Sequence, residues 1–158
     1  MALKRLDYEY KQYIKEPSQF YTINPESKNF YIWHILILPP SNTIFEGGIF
    51  KCIINFSKDY PNKAPEFKFI TELPHPNIYQ DGKVCISILH DGVDHYESED
   101  ISERWNPSHS VNSIIMSIIS ILIAPNLDSI ANVDSYKLYR DNYNEYKKII
   151  YRLIKNNQ

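Results

Sequence analysis

The reactive chemistry open to this chain rests on two cysteines, and their surroundings differ. In Phe50-Lys51-Cys52-Ile53-Ile54-Asn55-Phe56, strand alternation sets Cys52 beside Phe50, Ile54 and Phe56, while Lys51 and Asn55 take the other face. That pattern makes Cys52 a small core residue. Cys85 follows an Asp81-Gly82 turn instead. Val84, Ile86 and Ile88 form the apolar side of the short extended segment around it, and Cys85 shares the other side with Ser87. The region is rich in Pro, Asn and Asp. A thiol so placed can be accessible, and only an accessible thiolate is a useful nucleophile.

A cysteine hydrolase needs a histidine base beside its nucleophile and a third group orienting that histidine. His90, His95 and His109 are available, but no local hydrolase signature surrounds Cys85. Two cysteines this far apart offer no CxxC pair, so no metal site is expected. A thiol without an obvious base suits an enzyme that receives an already activated acyl group, because a strong base nearby would help water hydrolyse the thioester. An amine acceptor then needs its proton removed and the tetrahedral oxyanion stabilised.

The elements that must hold this thiol follow from apolar spacing. Leu3, Leu6, Tyr10, Tyr13 and Ile14 recur at helical intervals, with Lys4, Arg5, Asp7, Glu9, Lys11 and Lys15 mainly on other faces. This predicts a helix over Leu3–Ile14, stopped at Glu16-Pro17. Three or four strands follow, at Phe20–Ile23, Phe30–Leu38, Ile49–Phe56 and Glu66–Thr71, separated by proline- and asparagine-rich turns. Their short connections favour an antiparallel meander. The second strand is apolar on both faces: Phe30, Ile32, Leu36 and Leu38 on one, Tyr31, Trp33, Ile35 and Ile37 on the other. One face should meet helices, and the other is either covered too or offered to a partner.

From Leu73 to Trp105 simple periodicity is lost, over a length that tends to be functional. Val111–Ile123 then reads as a buried helix capped by Ser108 or Ser110. A short helix is expected around Ser135–Arg140. A last one covers Asn142–Ile154, with Tyr143, Tyr146, Ile150 and Leu153 inside. The order helix, strands, irregular loop, helices is an α+β pattern.

The 158 residues fit one domain, and 43% hydrophobic content with only four Gly argues for a packed core. A net charge of −2 provides no basic field to recruit nucleic acid. The most apolar run, Ile114 to Ala124, falls short of the roughly 20 residues a membrane span needs. No signal-peptide stretch opens the chain. The expectation is a cytosolic or nuclear protein with reduced thiols, reaching membranes through a partner if at all.

His75-Pro76-Asn77-Ile78-Tyr79-Gln80-Asp81-Gly82-Lys83-Val84-Cys85-Ile86-Ser87 resembles the active-site stretch of ubiquitin-conjugating enzymes, in which HPN precedes a short loop, a Gly turn and the acceptor Cys. The resemblance runs over essentially the whole chain. Met1-Ala2-Leu3-Lys4-Arg5 looks like the family's first helix, and Glu46-Gly47-Gly48-Ile49-Phe50 like its strand entry. Tyr60-Pro61 with Ala64-Pro65 resembles its ligase-facing proline loop. Trp105-Asn106-Pro107 and Ala124-Pro125-Asn126 match stretches flanking its long helix.

The resemblance implies the ubiquitin-conjugating fold: an N-terminal helix, a four-stranded antiparallel meander, an irregular active-site region and C-terminal helices, in one catalytic domain over residues 1–158. It implies that Cys85 accepts ubiquitin from the activating enzyme by transthiolation and passes it to a lysine. Asn77 would stabilise the oxyanion or support the loop, and His75 would brace it. Lys4 and Arg5, exposed on the first helix, would contact the activating enzyme, with Pro61, Asn62 and Pro107 on the surface that meets it or a RING-type ligase. No cofactor is bound, ATP being used upstream by the activating enzyme.

His90 to Trp105 encloses an acidic insertion carrying Asp91, Asp94, Glu97, Glu99, Asp100 and Glu103, which common members lack. Its Tyr96-Glu97-Ser98 and Glu103-Arg104-Trp105, with Ala131-Asn132-Val133-Asp134 later, look like the G-type enzymes of endoplasmic-reticulum quality control. These build degradative chains, and in them a ligase-associated helix can bind the back of the sheet. The carboxylates would attract an acceptor lysine but oppose loss of its proton.

Three positions depart from the family pattern: Ala124 stands where an acidic residue is usual, Pro74 replaces an aromatic, and Asn62 replaces a larger apolar residue. Asp91, Asp94 or Asp134 could supply the missing carboxylate. Two rival readings keep the fold: a ubiquitin-binding scaffold without turnover, and a conjugating enzyme for another ubiquitin-like modifier.

Overall fold

A computed structural model provides the protein's structure and describes residues 1–91 and 103–157. Asp94, His95, Glu97, Glu99 and Asp100 lie outside the described residues. Helix α1 (Ala2–Lys15) is followed by strands β1 (Tyr21–Pro25), β2 (Ile32–Ile37), β3 (Phe50–Asn55) and β4 (Glu66–Phe69). A 3-10 turn at Ser87–Leu89 precedes helices α2 (Val111–Ile123), α3 (Val133–Asp141) and α4 (Tyr143–Asn156). The strands pair in chain order, all antiparallel, as the short turns require. This is the α+β architecture expected from the element order, and it matches the arrangement that the family resemblance implies.

Sheet register explains which apolar residues form the core. Ile23, Ile35, Cys52 and Phe69 lie in one cross-strand row, and Trp33, Ile54 and Phe67 in the next. All seven are buried. On the opposite face, Asn24, His34, Ile53 and Lys68 form a row that leaves Ile53 half-buried and His34 exposed. The back of β2 is therefore only half covered, with Ile32 and Leu36 partly open. Phe30 does not share that face as alternation predicts. The chain turns before β2, Ile32 N–H donating to the Asn29 carbonyl, and this brings Phe30 against Trp33 and Tyr10.

Helix α2 buries Val111, Ile114, Ile115, Ile118, Ile119 and Leu122, the i, i+3, i+4, i+7 stripe of a core-facing helix. Its N-cap is Ser110, whose hydroxyl accepts from Ser113 N–H while the Ser113 hydroxyl accepts in return from Ser110 N–H. In α1 the buried stripe runs through Ala2 and Leu6 to half-buried Tyr10 and Tyr13. Leu3 and Ile14, expected inside, sit on its flank and are exposed. In α4, Tyr146, Ile150 and Ile154 are buried, Leu153 is half-buried, and Tyr143 is exposed against Tyr139. Its stripe begins one turn later than sequence spacing suggests.

The two leucines of α1 make this testable. Leu6→Ala should cost about 2–5 kcal/mol in urea unfolding, the range for emptying a packed site. Leu3→Ala should stay within about 0.5 kcal/mol.

Candidate active site

Each residue of the His75-Pro76-Asn77 run grips a different element. His75 is fully buried. Its Nδ1 accepts from Asn77 N–H at 3.0 Å, so the ring proton sits on Nε2, which faces the Leu122 carbonyl at 3.3 Å. That carbonyl lies in the last turn of α2, where no intrahelical donor remains. Burial pushes the His75 pKa down to about 4 against the smaller opposing effect of these carbonyls, so the ring is a neutral brace at pH 7. Pro76 offers its carbonyl to Ala131 N–H (2.8 Å) and Asn132 N–H (3.1 Å), at the start of α3.

Asn77 is buried completely, and its amide is fully engaged. Nδ2 donates to the Asn126 and Ser129 carbonyls, both at 2.7 Å, and Oδ1 accepts from Asn126 N–H at 2.9 Å. The side chain thus clasps the linker between α2 and α3. Its own carbonyl accepts from Cys85 N–H at 2.8 Å. One residue therefore ties the Cys85 backbone to the 126–129 linker.

Between them runs a narrow hairpin. Ile78 bridges Val84, and both are buried, which turns Tyr79 and Cys85 to the other side. Gly82 N–H donates to the Tyr79 carbonyl at 2.9 Å and closes the turn. Gly82 has φ +96, and a Cβ there would lie 2.1 Å from the Phe69 carbonyl oxygen, so only glycine fits. After Cys85 the extended segment ends: Ser87 begins the 3-10 turn instead of continuing the alternation, and Ile88 is buried while Ile86 is half-buried.

The two thiols occupy opposite environments. Cys52 is 2% exposed in the middle of the sheet, and burial holds its pKa well above the ordinary thiol value. Cys85 is half-exposed. Tyr79 stands beside it, and its pKa is raised first by a hydrogen bond to Cys85 and then by that group's charge. Sequence reading passed over Tyr79, although its place two residues after Asn77, across the Gly82 turn, is the available signal. It also passed over Asp128, an exposed carboxylate within the clasped linker. Ala124, the C-cap of α2, is exposed. Asp134 lies in the first turn of α3.

The acidic insertion is closed at its base, Trp105 N–H donating to the His90 carbonyl at 3.0 Å. Asp91 anchors one end: its Oδ1 accepts from Ala64 N–H at 2.7 Å, and its carbonyl accepts from Arg104 at 2.8 Å. Glu103, at the other end, is exposed. His109 is turned to the Arg104 carbonyl and the Trp105 ring.

The remaining predicted contact residues gather at the N-terminal end of α2. Lys4, Asn62 and Pro107 are exposed, and Pro61 is half-buried. Arg5 is not the exposed cation that α1's pattern suggested. Its side chain is 25% exposed, bonded to Glu9 at 3.0 Å and to the His109 carbonyl at 2.7 Å. At 1.5 Å per residue, the 13 residues of α2 extend roughly 20 Å from its N-terminal end to the end that His75 braces.

The family model described as ubiquitin-conjugating enzyme matches residues 5–154. The chain belongs to the ubiquitin-conjugating enzyme family. It is 44% identical to human ubiquitin-conjugating enzyme E2 G2 over 155 residues, covering 97% of this chain and 94% of that one. It is 47% identical to the probable ubiquitin-conjugating enzyme E2 7 of Caenorhabditis elegans over 84% of this chain and 82% of that one. Ubiquitin-conjugating enzyme E2 15 of Schizosaccharomyces pombe is 43% identical over 92% of this chain and 88% of its own length. These relatives bear out the G-type resemblance and make the chain an E2 enzyme, whose general partners are ubiquitin, an activating enzyme and a ligase.

The buried imidazole of this E2 predicts an acid limb of stability. In the unfolded chain His75 titrates near 6.5 but in the folded one near 4, so between these values unfolding takes up a proton. Stability should be complete above pH 6.5, fall by about 3 kcal/mol as pH drops to 4, and then level off. Urea unfolding across this range should show that loss in the wild type and a flatter curve in His75→Gln.

Proposed function

We propose that Cys85 carries ubiquitin as a thioester and delivers it to a lysine. The observation supporting this is the contrast between the thiols: Cys85 is half-exposed beside Tyr79, while Cys52 is sealed in the sheet. In the first step the Cys85 thiolate attacks the ubiquitin carboxyl carbon held as a thioester by the activating enzyme. The new C–S bond forms and the activating enzyme's thiolate leaves. In the second step a lysine amine attacks the same carbon, loses a proton to water or a nearby carboxylate, and displaces the Cys85 thiolate, leaving an isopeptide bond.

Asn77 acts in this scheme chiefly by holding the 126–129 linker against Cys85, since both its N–H groups are already bonded there. Stabilising the oxyanion requires releasing one of them. Asp91, Asp128 and Asp134 are the described carboxylates we assign to receiving the lysine in place of an acid at Ala124. Residues 1–158 act as one catalytic domain, and ATP is consumed by the activating enzyme, with no cofactor bound here.

A RING-type ligase docks at Pro61, Asn62 and Pro107, and Lys4 meets the activating enzyme. As in the G-type reading, the product is a degradation signal in endoplasmic-reticulum quality control. A ligase-associated helix uses the half-covered back of the sheet at Ile32, Leu36 and Ile53. The enzyme works in the cytoplasm or nucleus and is brought to the reticulum by that partner. Among the described residues no helix is long and apolar enough to cross a membrane.

Incubation with activating enzyme, ubiquitin and Mg-ATP, followed by a non-reducing gel, should show a thiol-sensitive adduct. Cys85→Ala should abolish it, Cys52→Ala should keep it, and Cys85→Ser should give a thiol-resistant ester. Adduct formation only with another modifier and its own activating enzyme would change the substrate class, and none with any modifier would make this a scaffold. In a single-turnover chase with lysine, Asn77→Ala should charge but discharge about 10²-fold more slowly, the cost of an ångström-scale misplacement once the linker is released. Wild-type discharge by that variant would remove Asn77 from the mechanism.

A further inference from the structure

Helix α1 holds an anion that the chemistry at Cys85 does not use. The Glu9 side chain is only 8% exposed. Its Oε2 accepts from Arg5 Nε–H at 3.0 Å and from the Tyr60 hydroxyl, and its Oε1 accepts from Val111 N–H at 2.8 Å. Val111 opens α2, so this N–H has no partner within the helix, and the carboxylate sits at the positive end of the helix dipole. A buried charge is tolerated only when it is paired and bonded in this way.

The contacts continue outward. Arg5 also donates to the His109 carbonyl at 2.7 Å and lies 5.7 Å over the Tyr60 ring. That ring packs on Trp105 at 5.7 Å, and the Trp105 indole donates to the Pro61 carbonyl at 2.8 Å. One carboxylate thus joins α1, the turn at Asp59–Lys63, the segment from Arg104 to Ser110, and the start of α2.

We propose that Glu9 is the positioning residue for the ligase-docking loops, its carboxylate setting how Pro61, Asn62 and Pro107 stand relative to one another. This rests on the reading that those loops receive a RING ligase. The charge matters as much as the shape. A glutamine at this position has one oxygen and one NH₂, so whichever way it turns, a donor faces either Val111 N–H or the pair Arg5 and Tyr60. Aspartate keeps both oxygens and the charge, one methylene short.

The test is Glu9→Gln, read in the protein and in the reaction. In ¹⁵N spectra, shifts should gather at residues 59–63 and 104–111, with Trp105 indole N–H exchange at least tenfold faster and the Asn77 and Cys85 amides unmoved. Ligase-free discharge to lysine from charged protein should stay within twofold. The probe for docking is an isolated RING domain that accelerates wild-type discharge. Its half-saturating concentration should rise tenfold or more while the plateau rate is kept, and Glu9→Asp should recover most of the loss.

An unchanged half-saturation, or a fall in plateau alone, would overturn the proposal. If Glu9→Gln does not fold, Tyr60→Phe removes only the hydroxyl that meets Glu9 and should raise the same half-saturation by a smaller factor. No change there overturns the proposal equally. Failure of the wild type to form a thioester would sink the catalytic reading instead, and the spectra would still report whether Glu9 orders these loops.

Discussion

Three hydrogen bonds from one buried amide hold the region around Cys85 together. Asn77 meets the backbone of Asn126 and Ser129, 49 and 52 positions along the chain, and its own carbonyl holds the amide of Cys85. Segments without regular structure would otherwise keep much of their conformational freedom. Here neither the hairpin of Cys85 nor the α2–α3 linker can shift without leaving a buried polar group unpaired, at about 1–3 kcal/mol each. His75 and Pro76 extend the same joint to the end of α2 and the beginning of α3. The geometry around the sulfur is thereby fixed before any substrate arrives.

The rest of the fold divides labour around that joint. The sheet and α2 form the core, and the core hides the thiol that must not react. Cys52 and Cys85 are the same chemical group, but one is flanked by paired strands and the other lies past the last strand, where the chain turns to the surface. Helix α2 also acts as a spacer. Its C-terminal carbonyl meets the His75 brace, and its N-terminal amide meets Glu9. The His75 brace and the Glu9 junction accordingly occupy opposite ends of one helix.

Differences between spacing and structure have local causes. Leu3 and Ile14 satisfy a helical period yet fall beside the stripe that faces the sheet, because a stripe has finite width. Phe30 departs from alternation because the strand has not yet begun. Arg5 looked like a surface cation because its partners, Tyr60, His109 and Glu9, come from elements that spacing along one helix does not bring together. Tyr79 was legible only as part of a motif, since its nearness to Cys85 depends on a hairpin register.

The amino-acid order by itself determined the element sequence, the antiparallel meander, the buried state of Cys52, the need for a glycine turn before Cys85, and the family. The family rests on the resemblance of an ordered set of motifs, and the others follow from short-range periods and turn chemistry, which act over a few residues and so can be read along the chain. Only the tertiary structure decided that the Asn77 amide is consumed by a linker some fifty residues away, that His75 is a neutral brace and that Glu9 is a buried junction. Those outcomes depend on which distant groups lose water together. Desolvation of that kind is set by the packing of whole elements, and no local pattern encodes it.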